Sequence, residues 1–136
     1  MKLRALAVAA SLAGLAISIY LTSVHYAGVS LACPANGTIN CESVLSSPYA
    51  VIAGTVLPTS AAGIVWFAVS TLVWVGRFPR VQLAWSIAGL VTVLWLVFVE
   101  IVRIGAICIW CTAAHVLVLL IFLIALTRAN GVRVAS

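Results

Sequence analysis

Cys108-Ile109-Trp110-Cys111-Thr112-Ala113-Ala114-His115 opens the last apolar run of the chain, which continues as VLVLLIFLIAL to Leu126. A helix needs about 20 residues to cross the hydrocarbon core of a bilayer, and this run has that length. Two thiols two residues apart can close into a small disulfide ring and reopen, which suits two-electron exchange better than stapling a fold. Cys108, Cys111 and His115 are spaced i, i+3, i+7 and so share one helical face. If Cys108 begins the helix, unpaired N–H groups and the helix dipole stabilise its thiolate. The plainer alternative is a pair of buried, inert thiols in an apolar helix.

Working outward, three further apolar runs appear, at about 6–26, 58–75 and 83–102, beside the run at 108–126. The expected fold is an all-α integral membrane protein. A single domain over residues 1–136 forms a four-transmembrane-helix bundle, with a long outer loop containing a short helix. Composition agrees: 65% of residues are hydrophobic and 7% charged, with mean hydropathy +1.31. A soluble domain is about a quarter charged. Pro58 suits the first turn of a helix, where its missing N–H is not needed. Pro79 is expected in a turn over Gly76–Gln82. Lys2 and Arg4 ahead of an Ala-rich stretch also resemble a signal peptide. The first run outlasts an ordinary signal core, however, and cleavage would leave an odd number of spans, so a retained helix is expected.

A net charge of +5 would suggest nucleic acid in a soluble protein. Here the basic residues punctuate apolar runs, which is the pattern of membrane orientation, and no nucleic-acid partner is expected. Lys2, Arg4, Arg77, Arg80, Arg128 and Arg133 fall on one side if all four runs cross; of the seven basic residues only Arg103 does not. That side is expected to be the cytoplasm, with both termini in it. Arg103 is expected to pair with Glu100 at the opposite surface. Cys33, Cys41, Cys108 and Cys111 then all face an oxidising compartment.

The loop from about Ala27 to Leu57 carries Cys33 and Cys41, separated by the turn-rich Pro34–Asn40. Asn40 is a candidate N-cap for a short helix over Cys41–Leu45. Val44, Leu45, Val51, Ile52, Val56 and Leu57 are too apolar for a solvated linker and suggest a lid on the bundle mouth. A loop stapled by a permanent Cys33–Cys41 disulfide is the alternative. Zinc fits poorly: one cysteine pair is separated by seven residues and the other opens a membrane helix, so no metal is expected.

The loop pair Cys-x7-Cys, followed by Glu-Ser-Val-Leu-Ser-Ser, with CxxC at the head of the fourth run, resembles the vitamin K epoxide reductase family. The matching residues are Cys33, Cys41, Ser46, Ser47, Cys108 and Cys111, and the resemblance spans the four-helix core. DsbB-type quinone reductases carry the two pairs in the opposite order. The resemblance implies that Cys33 and Cys41 exchange electrons with an outside thiol partner. It also implies that Cys108 and Cys111 pass them to a quinone of the ubiquinone, menaquinone or vitamin K type. A transient Cys41–Cys108 disulfide would link the pairs, with Cys111 facing the quinone, while Ser46 and Ser47 support the lid. The likeness is to bacterial members without a fused thioredoxin-like domain, so a separate DsbA-like thioredoxin-fold partner is expected.

His115 stands where the vertebrate enzyme has a tyrosine, and Thr59 where it has an asparagine; both replacements keep a hydrogen-bond donor. Polar residues in membrane helices tend to face the interior or a ligand. Ser11, Ser18, Gly63 and Ser70 read as packing positions. Thr59 and His115 are the quinone-binding candidates, with Leu45 and Trp110 as walls. The expected activity is that of a thiol:quinone oxidoreductase in a bacterial inner membrane. It would oxidise a periplasmic partner and so support disulfide formation. The alternatives are quinone or epoxide reduction in a vitamin K cycle, and a non-catalytic scaffold with static loop disulfides.

Overall fold

A computed structural model describes residues 1–34 and 36–135, with side chains through Gly131. The side chain of Arg133, counted above among the basic residues of one side, lies outside that description. Five α-helices follow in order: α1 Lys2–Ala27, α2 Cys41–Leu45, α3 Thr59–Val75, α4 Pro79–Phe98 and α5 Ile109–Ala135. A 3-10 turn occupies Pro48–Ala50, and α4 runs on into a π-helical turn, Val99–Ile104. Among the described residues the only β pairing is isolated bridges.

Three helical stretches are long and apolar enough to cross a membrane: Lys2–Ala27, Pro79–Ile104 and Ile109–Gly131. The fourth, Thr59–Val75, is a shorter apolar helix. α1 lies along α3 and α5, and α4 along α5, whereas α3 and α4 touch only over a short stretch. Small residues bring α1 and α3 together. A Cβ on Gly14 would collide with the Phe67 ring, and one on Gly63 would meet Ser18 Oγ. The hydroxyls of Ser11 and Ser70, both buried, lie 3.1 Å apart across the same interface. A polar contact of this kind within a membrane bundle contributes on the order of 0.6 kcal/mol. Phe67, Trp74, Val93, Val118, Ile121 and Ile124 fill the interior, while Leu12, Val65, Leu72, Val91, Leu94 and Val116 are exposed as a lipid-facing surface would be.

Pro79 does not sit in a turn. It occupies the first position of α4, so that helix starts four residues before the expected Leu83. Proline is suited to that position because the N–H it lacks would have no helical partner. The earlier start buries Gln82, whose Nε2 donates to the carbonyls of Val73 (3.2 Å) and Gly76 (3.1 Å) at the end of α3. Free carbonyls at a helix end need partners when buried, and one side chain supplies two.

Candidate redox site

At the other end of the bundle the loop after α1 is sewn onto the segment that leads into α5. Asn40 N–H donates to the Ile107 carbonyl (3.0 Å), and Ile107 N–H to the Thr38 carbonyl (2.8 Å). These bonds set the start of α2 beside the start of α5, one residue before each leading cysteine. Asn40 caps α2 as expected, its Oδ1 accepting from Ser43 N–H at 3.1 Å. Ser46 Oγ donates to the Glu42 carbonyl (2.7 Å) and Ser47 Oγ to that of Val44 (2.7 Å), closing the helix at its far end.

Cys33 and Cys41 form a disulfide with Cα atoms 6.2 Å apart, and Cys108 and Cys111 are free thiols. Cys41 and Cys108, 2% and 0% exposed, share a buried apolar cluster with Val44 and Ala106; Cys33 and Cys111 pack against it. Cys33 is half-buried and is thus the more accessible sulfur of the loop disulfide. The Cys111 N–H donates to Cys108 Sγ at 3.4 Å, as an N-cap side chain is bonded at a helix start. The Cys108 thiol is held below the usual thiol range. The Cys111 side chain is the largest cause, with the N–H groups of Cys111 and Trp110 helping; burial and Glu100 oppose it.

Cys111 lines a cavity of about 80 Å³ together with His115, Thr59, Leu45 and Glu100. Its roof is the outer loop, through Val44, Leu45, Ser47, Tyr49 and Ala50. Two contacts hold the roof at Tyr49. Arg103 Nε donates to the Tyr49 hydroxyl (3.1 Å), and Thr59 Oγ1 donates to the Tyr49 carbonyl (3.1 Å). Thr59, Leu96 and His115 also line a second cavity of about 240 Å³, walled by Trp66, Gly89 and Val118 where α3 and α4 diverge. Those three residues line both spaces. Together the two spaces reach the lower end of the roughly 300–1,000 Å³ of ligand pockets, with mostly apolar walls and few polar groups.

Two sequence expectations are corrected here. Glu100 does not pair with Arg103. The π-helical turn changes the angular spacing of this stretch: Glu100 is 6% exposed and its Oε2 accepts from Cys108 N–H (3.5 Å), while Arg103 turns to Tyr49. Trp110 does not line the cavity. Its Nε1 donates to the Ala32 carbonyl (3.0 Å) and its ring packs on Tyr20 with centroids 4.9 Å apart, so it anchors the loop. Tyr49 lines the cavity and has no place in the sequence reading, and Glu100, read there as an interfacial anchor, lines it too. A lone carboxylate inside an apolar run was the available signal for Glu100.

No group of three or more metal-ligating side chains occurs among the described residues. The sequence model of the vitamin K epoxide reductase family matches residues 5–126, which contain all four cysteines and every residue of both cavities. The chain belongs to the vitamin K epoxide reductase family. Comparison with curated proteins gives no match. Membership of the vitamin K epoxide reductase family, with the apolar helices and the loop disulfide, identifies the chain as a membrane oxidoreductase. The family works with quinones and with thioredoxin-like partners.

Proposed function

We propose that this chain is a four-span thiol:quinone oxidoreductase of a bacterial inner membrane. It oxidises a periplasmic DsbA-like protein and reduces a membrane quinone, and so supports disulfide formation in secreted proteins. One observation carries the reading: Cys41 and Cys108 share a buried cluster while Cys111 opens onto the cavity that His115 and Thr59 line. Basic residues gathered at the far end support cytoplasmic termini. On this reading the shorter α3 is the second span.

The chemistry balances as two thiols oxidised to a disulfide for each quinone reduced, two electrons and two protons passing from one to the other. Cys108 and Cys111 close into a disulfide as they give up this pair. The partner's dithiol reduces Cys33–Cys41 by attack at Cys33, the more accessible sulfur, and leaves oxidised. Cys41 thiolate then attacks Cys108, forming a Cys41–Cys108 link and releasing Cys111. Cys33 resolves the link, restoring Cys33–Cys41 and freeing Cys108. A leaving thiolate departs faster the lower its pKa, which favours expulsion of Cys108. His115 donates to one quinone oxygen, Thr59 to the other once its bond to the Tyr49 carbonyl is released, and Leu45 covers the ring. An apolar cavity of about 150 Å³ holds a benzene ring, so the smaller space beside Cys111 requires the Tyr49 roof to lift. The cleft between α3 and α4 then takes the apolar tail.

A purely bracing role would leave the free Cys108 and Cys111 without a use. Anaerobic mixing of purified protein with a quinone and a reduced thioredoxin-fold protein tests the proposal. Quinol should form in step with partner oxidation. Fixed disulfides that neither partner nor quinone alters would point to a scaffold.

A further inference from the structure

The end of the bundle away from the cysteines concentrates positive charge. Lys2 and Arg4 at the start of α1, Arg77 in the turn after α3 and Arg128 in α5 line one cleft of about 660 Å³. The chain has only two acidic side chains, Glu42 and Glu100, and both stand at the opposite end, so no acidic side chain neutralises these cations. Arg128 is fixed in place: its Nη1 donates to Gln82 Oε1 at 2.8 Å and its guanidinium lies 5.5 Å over the Trp74 ring. A cation oriented by a buried amide and a buried indole is pre-organised for an anion. A second groove, of about 480 Å³, leads from Arg4 and Arg77 onto Val8, Leu12 and Val75. Leu12 and Val75 are 50% and 58% exposed.

A basic cleft that continues into an apolar trough has the two-part character of an acidic phospholipid. We propose that this site binds one, with the phosphate diester among Arg4, Arg77 and Arg128 and an acyl chain laid along Val8, Leu12 and Val75. Basic pockets between membrane helices at the cytoplasmic face are suited to anionic headgroups. A soluble anion would use the cleft and leave the groove bare. A zwitterionic lipid would use the groove but bring its own cation among four others. The site is distant from the cysteines and stands whether or not the redox proposal does.

The purified full chain in detergent is titrated with dioleoylphosphatidylglycerol, dioleoylphosphatidylcholine or glycerol phosphate, and bound molecules are counted by native mass spectrometry. Phosphatidylglycerol should bind at least tenfold more tightly than phosphatidylcholine, and glycerol phosphate should not displace it at matched concentration. Each surface cation contributes roughly fivefold, so the double variant Arg4→Gln/Arg77→Gln should weaken phosphatidylglycerol about 25-fold and leave phosphatidylcholine unchanged. Arg80→Gln removes the same charge outside the cleft and should change binding less than twofold. Equal binding of the two lipids overturns the proposal, as does an Arg80→Gln loss matching that of the cleft variants. Competition by glycerol phosphate overturns it in favour of a soluble anion. If the double variant misfolds, Arg77→Gln alone, at an exposed turn position, should show the fivefold loss, and its absence is equally decisive.

Discussion

His115→Ala probes a side chain that lines both cavities. None of the site's side-chain hydrogen bonds involves His115, so the change orphans none of those groups. It removes a wall shared by spaces of about 80 and 240 Å³, both of which the imidazole lines. The effect on folding should be small for that reason, and the loss should fall on the ligand. A neutral hydrogen bond contributes roughly 0.5–1.5 kcal/mol net, equivalent to about 2- to 13-fold in affinity. If the bond is equally strong with bound quinone and at the transition state, KM rises by that factor and kcat holds. If it strengthens as charge builds on the quinone oxygen, the contribution grows to roughly 1.5–3 kcal/mol and kcat falls by about 13- to 150-fold. The assay follows quinol formation anaerobically over a range of quinone concentrations. A parallel single-turnover experiment follows partner oxidation by the loop disulfide, which should proceed at the normal rate. Folded His115→Ala with quinone kinetics within twofold of the parent would refute the assignment and make His115 a packing residue.

Other expectations follow from the same geometry. Cys33→Ser should block oxidation of a folded protein dithiol yet spare turnover with a small dithiol, which can enter beside buried Cys108 once the Cys33–Cys41 disulfide no longer closes the loop; equal loss with both reductants would contradict this. Cys111→Ser should abolish quinone reduction with either reductant and accumulate a Cys41–Cys108 link, seen as a shifted band on a non-reducing gel, and normal turnover would rule out the relay. Because the Cys108 thiol is held down, first by Cys111, its thiolate should persist below the ordinary thiol value of about 8.5 and be lost only as pH falls through the lowered value. In a Cys33→Ser/Cys41→Ser background the midpoint of Cys108 alkylation should lie below that value and rise in Cys111→Ala; a midpoint at or above the ordinary value would count against the site. Gly89→Ala should push Trp66, which a Cβ there would strike, toward the second cavity. Over-packing of this kind lowers fold stability by about 1–3 kcal/mol, and the displaced ring should raise KM for a long-tailed quinone while changing it little for a tail-less one; equal changes would remove the cleft as tail site.

Much of the protein was legible in the chain because it depends on local order. Apolar run length marks the helices, since a bilayer imposes a minimum span. The spacing of Cys108, Cys111 and His115 aligns them through helical periodicity alone. Asn40 announces α2 because a cap acts within three residues. Glu100 was misread because a π-helical turn alters the angular spacing by which sequence neighbours are judged. Trp110 was misread because its partners, Ala32 and Tyr20, are distant in sequence. Pro79 fits either a turn or a first helical turn, and burial of Gln82 against the end of α3 selects the second. The same limit covers the cavities, the Tyr49 roof and the basic cleft, each assembled from segments that meet only in the folded bundle. The chain by itself determined how its four cysteines are spaced and that they lie in a membrane protein. Packing decided which sulfurs adjoin, which thiol reaches the cavity and where Glu100 turns, because those outcomes depend on contacts between helices and not on spacing within one.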